Sequence, residues 1–224
     1  MHWKVICDFD GTVALQDTTD LILSAYADPE WETIEQDWKQ GKIGSAECMQ
    51  RQIRLVCSNL HELDALLDSV EIDPYFKDFA LFCEKHGIPL TIASDGVDYF
   101  IERVLTRHQL SHLPIRANCL IFLGEDRYDL GFPHRAGDCA SQSGHCKCKM
   151  AGSDTVRTLL VGDGKSDFCL AHQVDLVFAK KSLLDYCHRQ QLQHAAFDHF
   201  GEAQAMLAAL LEMPARQPLP VIAA

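Results

Sequence analysis

Apolar and polar positions change period several times along the chain, and each change marks an element. Short apolar runs closed by acids or glycine read as buried strands: "VICDFDGTVA" near the start, "IPLTIASDG" at 88–96 and "TVRTLLVGDGKSD" at 155–167. Between the first two, residues 14–72 carry only helical spacing. "DTTDLILSAYA" opens with Asp17 as a cap, "EWETIEQDWKQG" stops at Gly41, and "SAECMQRQIRLV" and "ELDALLDSV" follow. The clearest helix is "DPYFKDFALFCEKHG". Asp73 can cap it, Pro74 suits its first turn, Phe76, Phe79, Ala80 and Cys83 share a face, and Gly87 can supply a left-handed stop. "DYFIERVLTRH" is helical, "CLIFLGEDRYDLGF" a strand or hairpin, and "DLVFA", "SLLDYCHRQ", "AAF" and "EAQAMLAALLEM" continue the alternation.

Strands that alternate with helices predict an α/β fold, a doubly wound and mainly parallel sheet covered on both faces. The helical stretch predicts a small domain inserted after the first strand. The expected division is a core of 1–13 and 73–213, a helical insert of 14–72 and a loose tail of 214–224. In such sheets ligands gather at the carboxyl ends of the strands, where the polar clusters of this chain stand.

Composition narrows the function. The formal net charge of −12 argues against a nucleic-acid surface or an anionic membrane face, both of which select for clustered Lys and Arg. The first residues enter a strand at once, and no uncharged apolar run approaches the ~18 residues of a membrane span, so a soluble cytoplasmic protein is expected. Of the 10 cysteines, Cys7, Cys83, Cys119, Cys169 and Cys187 lie in apolar segments, where a free thiol behaves as a small hydrophobe. Cys139, Cys146 and Cys148 form a separate cluster beside His134 and His145, dense enough in soft donors to hold a structural Zn²⁺. Their spacing is not a regular pair of hooks, and a reduced, metal-free loop at the entrance is the other reading.

The strand ends carry the candidate chemistry. Asp8 and Asp10, two apart, project to one side of an extended backbone before Gly11 turns the chain; alone, "DFDG" reads equally as a turn. Ser94, with Asp95 and Gly96, can hold a phosphate oxygen or simply cap the next helix. Asp163 and Asp167 add hard oxygen donors of the kind Mg²⁺ prefers. Four acids at the strand ends without a balancing charge imply a divalent cation.

In that order, "DFDGT", "ASDG", a lysine and "GDGKSD" resemble the haloacid dehalogenase superfamily phosphatases, subfamily IB, over nearly the whole chain. The resemblance implies a Rossmann-like core with a C1-type helical cap. It implies that Asp8 is the nucleophile forming an aspartyl-phosphate and Asp10 the acid and base. It places one Mg²⁺ on Asp8, the Asp10 carbonyl and Asp163, supported by Asp167, and the phosphoryl group on Thr12 and Ser94. Such chemistry asks for a carboxylate nucleophile plus a metal and a lysine to neutralise the equatorial oxygens.

The lysine lies in "GFPHRAGDCASQSGHCKCKMAG", as Lys147 or Lys149. Pro133-His134 and Cys146-Lys147 resemble a narrower methionine-salvage group of the superfamily, which favours Lys147 and suggests a methylthio diketo or enol phosphate as substrate. Phosphoserine phosphatases, also similar, read their substrate's carboxylate with a cap arginine; Gln52 stands near that place, with Arg51 and Arg54 adjacent. Trp31, Trp38 and Tyr26 line a pocket or form the insert's own core. The partner expected is a small phosphate ester, with no nucleic acid and no membrane, the protein being a monomer or homodimer. A phosphotransferase using the same intermediate and a non-catalytic zinc-holding module are the rival readings.

Overall fold

The computed structural model describes residues 2–137, 139, 141–151 and 156–212. Zinc-loop neighbours Asp138 and Ala140 and the expected tail of 214–224 lie outside these residues. In chain order the elements are β1 (Trp3–Cys7), α1 (Thr18–Tyr26), α2 (Glu30–Lys39), α3 (Ser45–Ile53), α4 (Leu60–Leu67), α5 (Phe76–Lys85) and β2 (Leu90–Val97). They continue with α6 (Asp98–Arg107), β3 (Ile115–Gly124), β4 (Arg127–Gly131), β5 (Arg157–Gly162), α7 (Phe168–Ala171), β6 (Leu176–Ala179), α8 (Lys181–Gln190), β7 (His194–Ala196) and α9 (Phe200–Glu212). Two short 3-10 turns, Lys147–Met150 and Lys165–Asp167, flank β5. Strand order is β4-β3-β2-β1-β5-β6-β7. The pairings of β1 with β2 and β5, of β5 with β6 and of β6 with β7 are parallel, and β3 with β4 is an antiparallel hairpin. This is the mainly parallel α/β fold that the alternation predicts.

The described residues divide into two compact units, one within Met1–Leu15, Ile72–Ile92 and Lys147–Ala224, the other within Gln16–Glu71 and Ala93–Cys146. Grouped this way, 93–146 accompany the helical segment, whereas sequence order puts only 14–72 in the insert. Strand β2 passes from one unit to the other.

In the first unit, β1, β5 and β6 are almost wholly buried and rich in Val, Leu and Ile, as strands covered on both faces must be. Helix α5 buries Phe76, Phe79, Ala80 and Cys83, and Phe200 of α9 packs edge-on against Phe76 at 4.8 Å between ring centres and against Phe79 at 5.1 Å. Truncating such a ring to alanine costs about 3–5 kcal/mol. Helix α5 starts two residues later than its Asp-Pro signal suggests, because Asp73 has other work. Its buried carboxylate accepts the amides of Tyr75 at 2.9 Å and Phe200 at 3.2 Å, tying the starts of the two helices together. Gly87, at φ +65°, ends the helix as expected.

In the second unit, Asp17 caps α1 by accepting the Asp20 amide, and Asn59 with Glu62 form a reciprocal capping box on α4. "CLIFLGEDRYDLGF" is the β3–β4 hairpin, its turn made by Glu125 and Asp126 at φ +53° and +56°. Two successive left-handed residues match the twist of the strands they join. Residues 94–96, read as a strand end, stay extended to Val97, and α6 begins at Asp98. Among the described residues no helix is long and apolar enough to cross a membrane.

Candidate active site

The first unit assembles the site at the carboxyl ends of β1 and β5. Register fixes this: Cys7 lies opposite Val161, and the Asp8 amide donates to the Val161 carbonyl at 2.9 Å. Asp8 and Asp163 therefore leave adjacent strands side by side. With Asp167 they form the one group of three or more possible ligand residues among the described residues, carboxylate oxygens lying within 4.8 Å of one another.

Lys147 reaches this group across 139 residues of sequence. Its Nζ donates to Asp8 Oδ1 and Asp167 Oδ1, both at 2.7 Å, and to Ser166 Oγ at 3.1 Å. All three charged side chains are buried, so the arrangement holds only because each charge has partners. Burial works against the Lys147 ammonium, but Asp167 and Asp8 outweigh it and hold the amine above its ordinary value. Burial, followed by Asp167, pushes the Asp8 carboxyl up to about 6 in spite of Lys147. The Asp163 carboxyl is also raised, by burial and then Asp8, with Lys181 opposing. The charge that balances these acids is thus present twice, as Lys147, the lysine the resemblance favours, and as Lys181, which sequence reading missed. Lys149, the rival choice, is exposed.

The loop after Asp8 folds tightly, the amides of Thr12, Val13 and Ala14 all donating to the Phe9 carbonyl at 2.8–3.1 Å. Gly11 takes φ +72°, and a side chain there would overlap the Asp163 carboxylate and lie 2.9 Å from Lys181 Nζ, so glycine is required twice over. Lysines at the end of β6 brace this loop: Lys180 Nζ donates to the Thr12 carbonyl at 3.2 Å, and Lys181 Nζ to the Gly11 carbonyl at 3.1 Å and to Asp163 Oδ2 at 2.9 Å. Thr12 Oγ1 is fully buried and has no hydrogen-bond partner among the described residues, an arrangement that suits a hydroxyl awaiting an anionic oxygen. Asp10, half-buried, follows in the same loop, and its carboxylate is outside the group of three.

The hard-oxygen donor set fits a divalent cation such as Mg²⁺, with carboxylates few enough to leave positions for water and phosphate. Buried acids raised toward neutrality in the free protein are what such an ion would return to the charged form.

Ser94, Asp95 and Gly96 belong to the second unit. Ser94 is buried and its Oγ accepts the Gly96 amide at 2.9 Å, so that amide is already used. The Asp95 carboxylate accepts from the His145 amide at 2.9 Å and from Asn118 Nδ2 at 3.2 Å, which ties β2 to β3 and to the loop before Lys147. Gln52 is buried, its Nε2 donating to Glu35 Oε2 at 3.1 Å and the Trp31 carbonyl at 3.4 Å. Arg51 pairs with Glu47 along α3, and Arg54 grips Asp129 with two bonds of 2.8 and 3.0 Å. Trp38 donates its indole N–H to Ser45 Oγ at 3.0 Å, joining α2 to α3.

The cysteine cluster departs from expectation. Cys148 is bonded to Cys169, and among the described residues Cys139, Cys146 and Cys148 do not gather into a ligand group, so the zinc site is not supported. The reason is directional: Cys148 lies on the 3-10 turn that carries Lys147 and its side chain goes to α7. Cys169 is consequently not the free apolar thiol its surroundings suggested, and Cys119 is exposed, whereas Cys7, Cys83 and Cys187 are buried as expected.

Residues 5–172 match the model of the haloacid dehalogenase-like hydrolases. The chain belongs to that family. As a haloacid dehalogenase-like hydrolase it is an enzyme, and its relatives are named as phosphatases. It is 31% identical over 209 residues to 2-hydroxy-3-keto-5-methylthiopentenyl-1-phosphate phosphatase of Brevibacillus brevis, covering 91% of this chain and 94% of that one. It is 32% identical over 203 residues to the protein of the same name from Geobacillus kaustophilus, covering 88% and 91%. A substrate-bound phosphoserine phosphatase shares the fold of this hydrolase at TM-score 0.67 and 16% identity, covering 92% of this chain and 98% of that one.

Sequence reading missed Ser166, Lys180 and Lys181. Ser166 lies inside the quoted "GDGKSD". The lysine pair directly follows the apolar run "DLVFA", a position at a parallel strand's carboxyl end that the same rule used for the acids could have flagged.

Proposed function

We propose that the protein is a Mg²⁺-dependent phosphomonoesterase that works through an aspartyl-phosphate on Asp8, with a methylthio diketo or enol pentane 1-phosphate of methionine salvage as substrate. The observation that carries the reaction is Lys147 Nζ held at 2.7 Å from both Asp8 and Asp167 beside Asp163. That geometry leaves Asp8 Oδ2 for attack on phosphorus while Oδ1 is fixed by the ammonium. Attack breaks the ester P–O bond, and Asp10 gives its proton to the departing alcohol oxygen. Water then attacks the phosphorus, Asp10 takes its proton, and phosphate leaves with the Asp8 carboxylate restored. Asp8, Asp163 and the Asp10 carbonyl, with Asp167 in support, would hold the Mg²⁺, which would supply charge neutralisation on the phosphoryl oxygens. Lys147 and the Thr12 hydroxyl serve the same oxygens. Ser94 is assigned to them too, on the resemblance of "ASDG" to the family's motif.

Residues 14–72 are assigned to a cap that selects the substrate. The names of the relatives support the methylthio substrate, as does the engagement of Gln52, Arg51 and Arg54 in bonds of their own, which favours a substrate without a free carboxylate. A cytoplasmic monomer or homodimer acting on this small ester completes the reading.

The test is phosphate release, with and without Mg²⁺, from an aryl phosphate, phosphoserine and the methylthio diketo/enol phosphate, alongside Asp8→Asn. Expected are Mg²⁺-dependent turnover fastest on the methylthio ester and none in the variant. Activity surviving Asp8→Asn refutes the nucleophile; preference for phosphoserine refutes the substrate; transfer to an added alcohol exceeding hydrolysis refutes the esterase in favour of a phosphotransferase.

A further inference from the structure

The two cysteines of the Cys148–Cys169 bond flank the two ends of a buried ion pair. Cys148 follows Lys147 directly, and Cys169 comes two residues after Asp167, the carboxylate that Lys147 holds at 2.7 Å. The lysine is held on its near side by the Cys146 amide, which donates to the His134 carbonyl at 3.2 Å. It sits on a four-residue 3-10 turn, whose far end is pinned by Lys4 Nζ on the Met150 carbonyl at 2.8 Å. Asp167 also ends a short turn, and four-residue α7, which carries Cys169, is held by Phe168 stacked on Tyr186 at 3.9 Å. A covalent tie between two such short pieces constrains them more than their own hydrogen bonds do, and it removes freedom mainly from the open chain. Both cysteines are half-buried, within reach of a small reductant.

We propose that the Cys148–Cys169 bond is a positioning crosslink for Lys147, and that turnover therefore depends on its redox state. The proposal rests on the role given to Lys147 above. A dithiol reductant attacks one sulfur, breaks the S–S bond through a mixed disulfide, and closes to its own disulfide. Two electrons and two protons pass to Cys148 and Cys169, which become thiols. The turn then loses its covalent anchor to α7, and the ammonium no longer meets Asp8 and the phosphoryl oxygens in one fixed geometry.

Protein denatured without reductant should show 8 alkylatable thiols, and 10 after reduction. In native protein at 25 °C, excess dithiothreitol should lower kcat roughly five- to tenfold with KM unchanged, since loss of alignment acts on the chemical step. It should also speed acylation of Lys147 by an amine reagent, followed by mass spectrometry, and lower Tm by roughly 5–10 °C. Reoxidation should reverse all three. A Cys148→Ser/Cys169→Ser variant should show the reduced values and ignore dithiothreitol, while Cys57→Ser, at an exposed free thiol, should respond as wild type. Ten thiols without reductant overturn the crosslink. A Tm loss with kcat and Lys147 acylation unmoved overturns positioning and leaves a structural bond. If the oxidised protein releases phosphate from no ester, the proposed function fails, and thiol count with Lys147 acylation still decides the crosslink.

Discussion

Replacing Lys147 by methionine tests the site's electrostatics most directly. The side chain keeps its apolar stem and loses the charge that two buried carboxylates share. At an effective dielectric of about 20, each 2.7 Å contact represents about 6 kcal/mol of Coulomb attraction, most of it offset by desolvation. Removing one partner of such a group costs about 3–5 kcal/mol, because the charges left behind stay buried. That is about a fifth or more of a typical domain's stability of about 5–15 kcal/mol. The loss must depend on pH. Asp8 already sits at about 6, above its ordinary 3.8, so its contribution is fully present below about 3.8 and is lost as pH rises through 6. Without the ammonium its carboxyl is raised further, which widens that window upward. Lys147→Met should therefore be most destabilised near pH 8 and approach wild type near pH 5. Urea unfolding in EDTA at both pH values, followed by circular dichroism, measures this. Adding Asp167→Asn to the variant should recover roughly 1–2 kcal/mol at pH 8, since one uncompensated charge disappears. A loss under about 1 kcal/mol at pH 8, or a further loss on adding Asp167→Asn, would refute the reasoning.

Lys149→Met, two residues along the same turn but exposed, should change stability by less than about 0.5 kcal/mol in the same titration and keep phosphate release. Gly162→Ala puts a methyl group onto the Asp167 carboxylate, 2.7 Å from its Cγ, and should cost about 1–3 kcal/mol by urea unfolding with most turnover lost. Burial, then Asp17 and Glu35, raise the Asp20 carboxyl to about 6, so its contribution fades as pH climbs from about 4 to 6. Asp20→Asn should flatten Tm against pH in that window, by well under the full shift because the residue is exposed. Arg51→Met and Arg54→Met should leave KM for the preferred ester within about twofold, because both side chains serve Glu47 and Asp129 rather than substrate; a tenfold rise would return the carboxylate reader to the cap.

What was legible in the sequence is what local physics dictates. Strand ends closing in Asp8 and Asp163 showed because a parallel strand's apolar run stops where its residues meet solvent and ligand. The cap at Asp17 and the stop at Gly87 are likewise short-range. Asp73 misled by two residues because a partner 127 residues away, the Phe200 amide, shares its carboxylate. Lys147 could not be assigned by spacing at all; motif order and the resemblance around Cys146 singled it out. The Cys148–Cys169 pairing was invisible, since ten cysteines give no connectivity from spacing alone.

The lysines resolve a conflict that composition poses. A chain with net charge −12 should repel a phosphate dianion, and three clustered carboxylates make the repulsion worst where the ester must bind. Lys147 and Lys181 reduce the local sum from −3 to −1, and their positions differ in kind. Lys147 is buried between carboxylates and acts undiminished by solvent, while Lys181, its side chain 59% exposed, is partly screened. A divalent ion held by these carboxylates would turn −1 into +1, a sign that would attract the dianion. If a divalent ion is bound there, this balance predicts metal before ester, which initial-rate kinetics with varied Mg²⁺ and ester would check by showing no ester binding in EDTA.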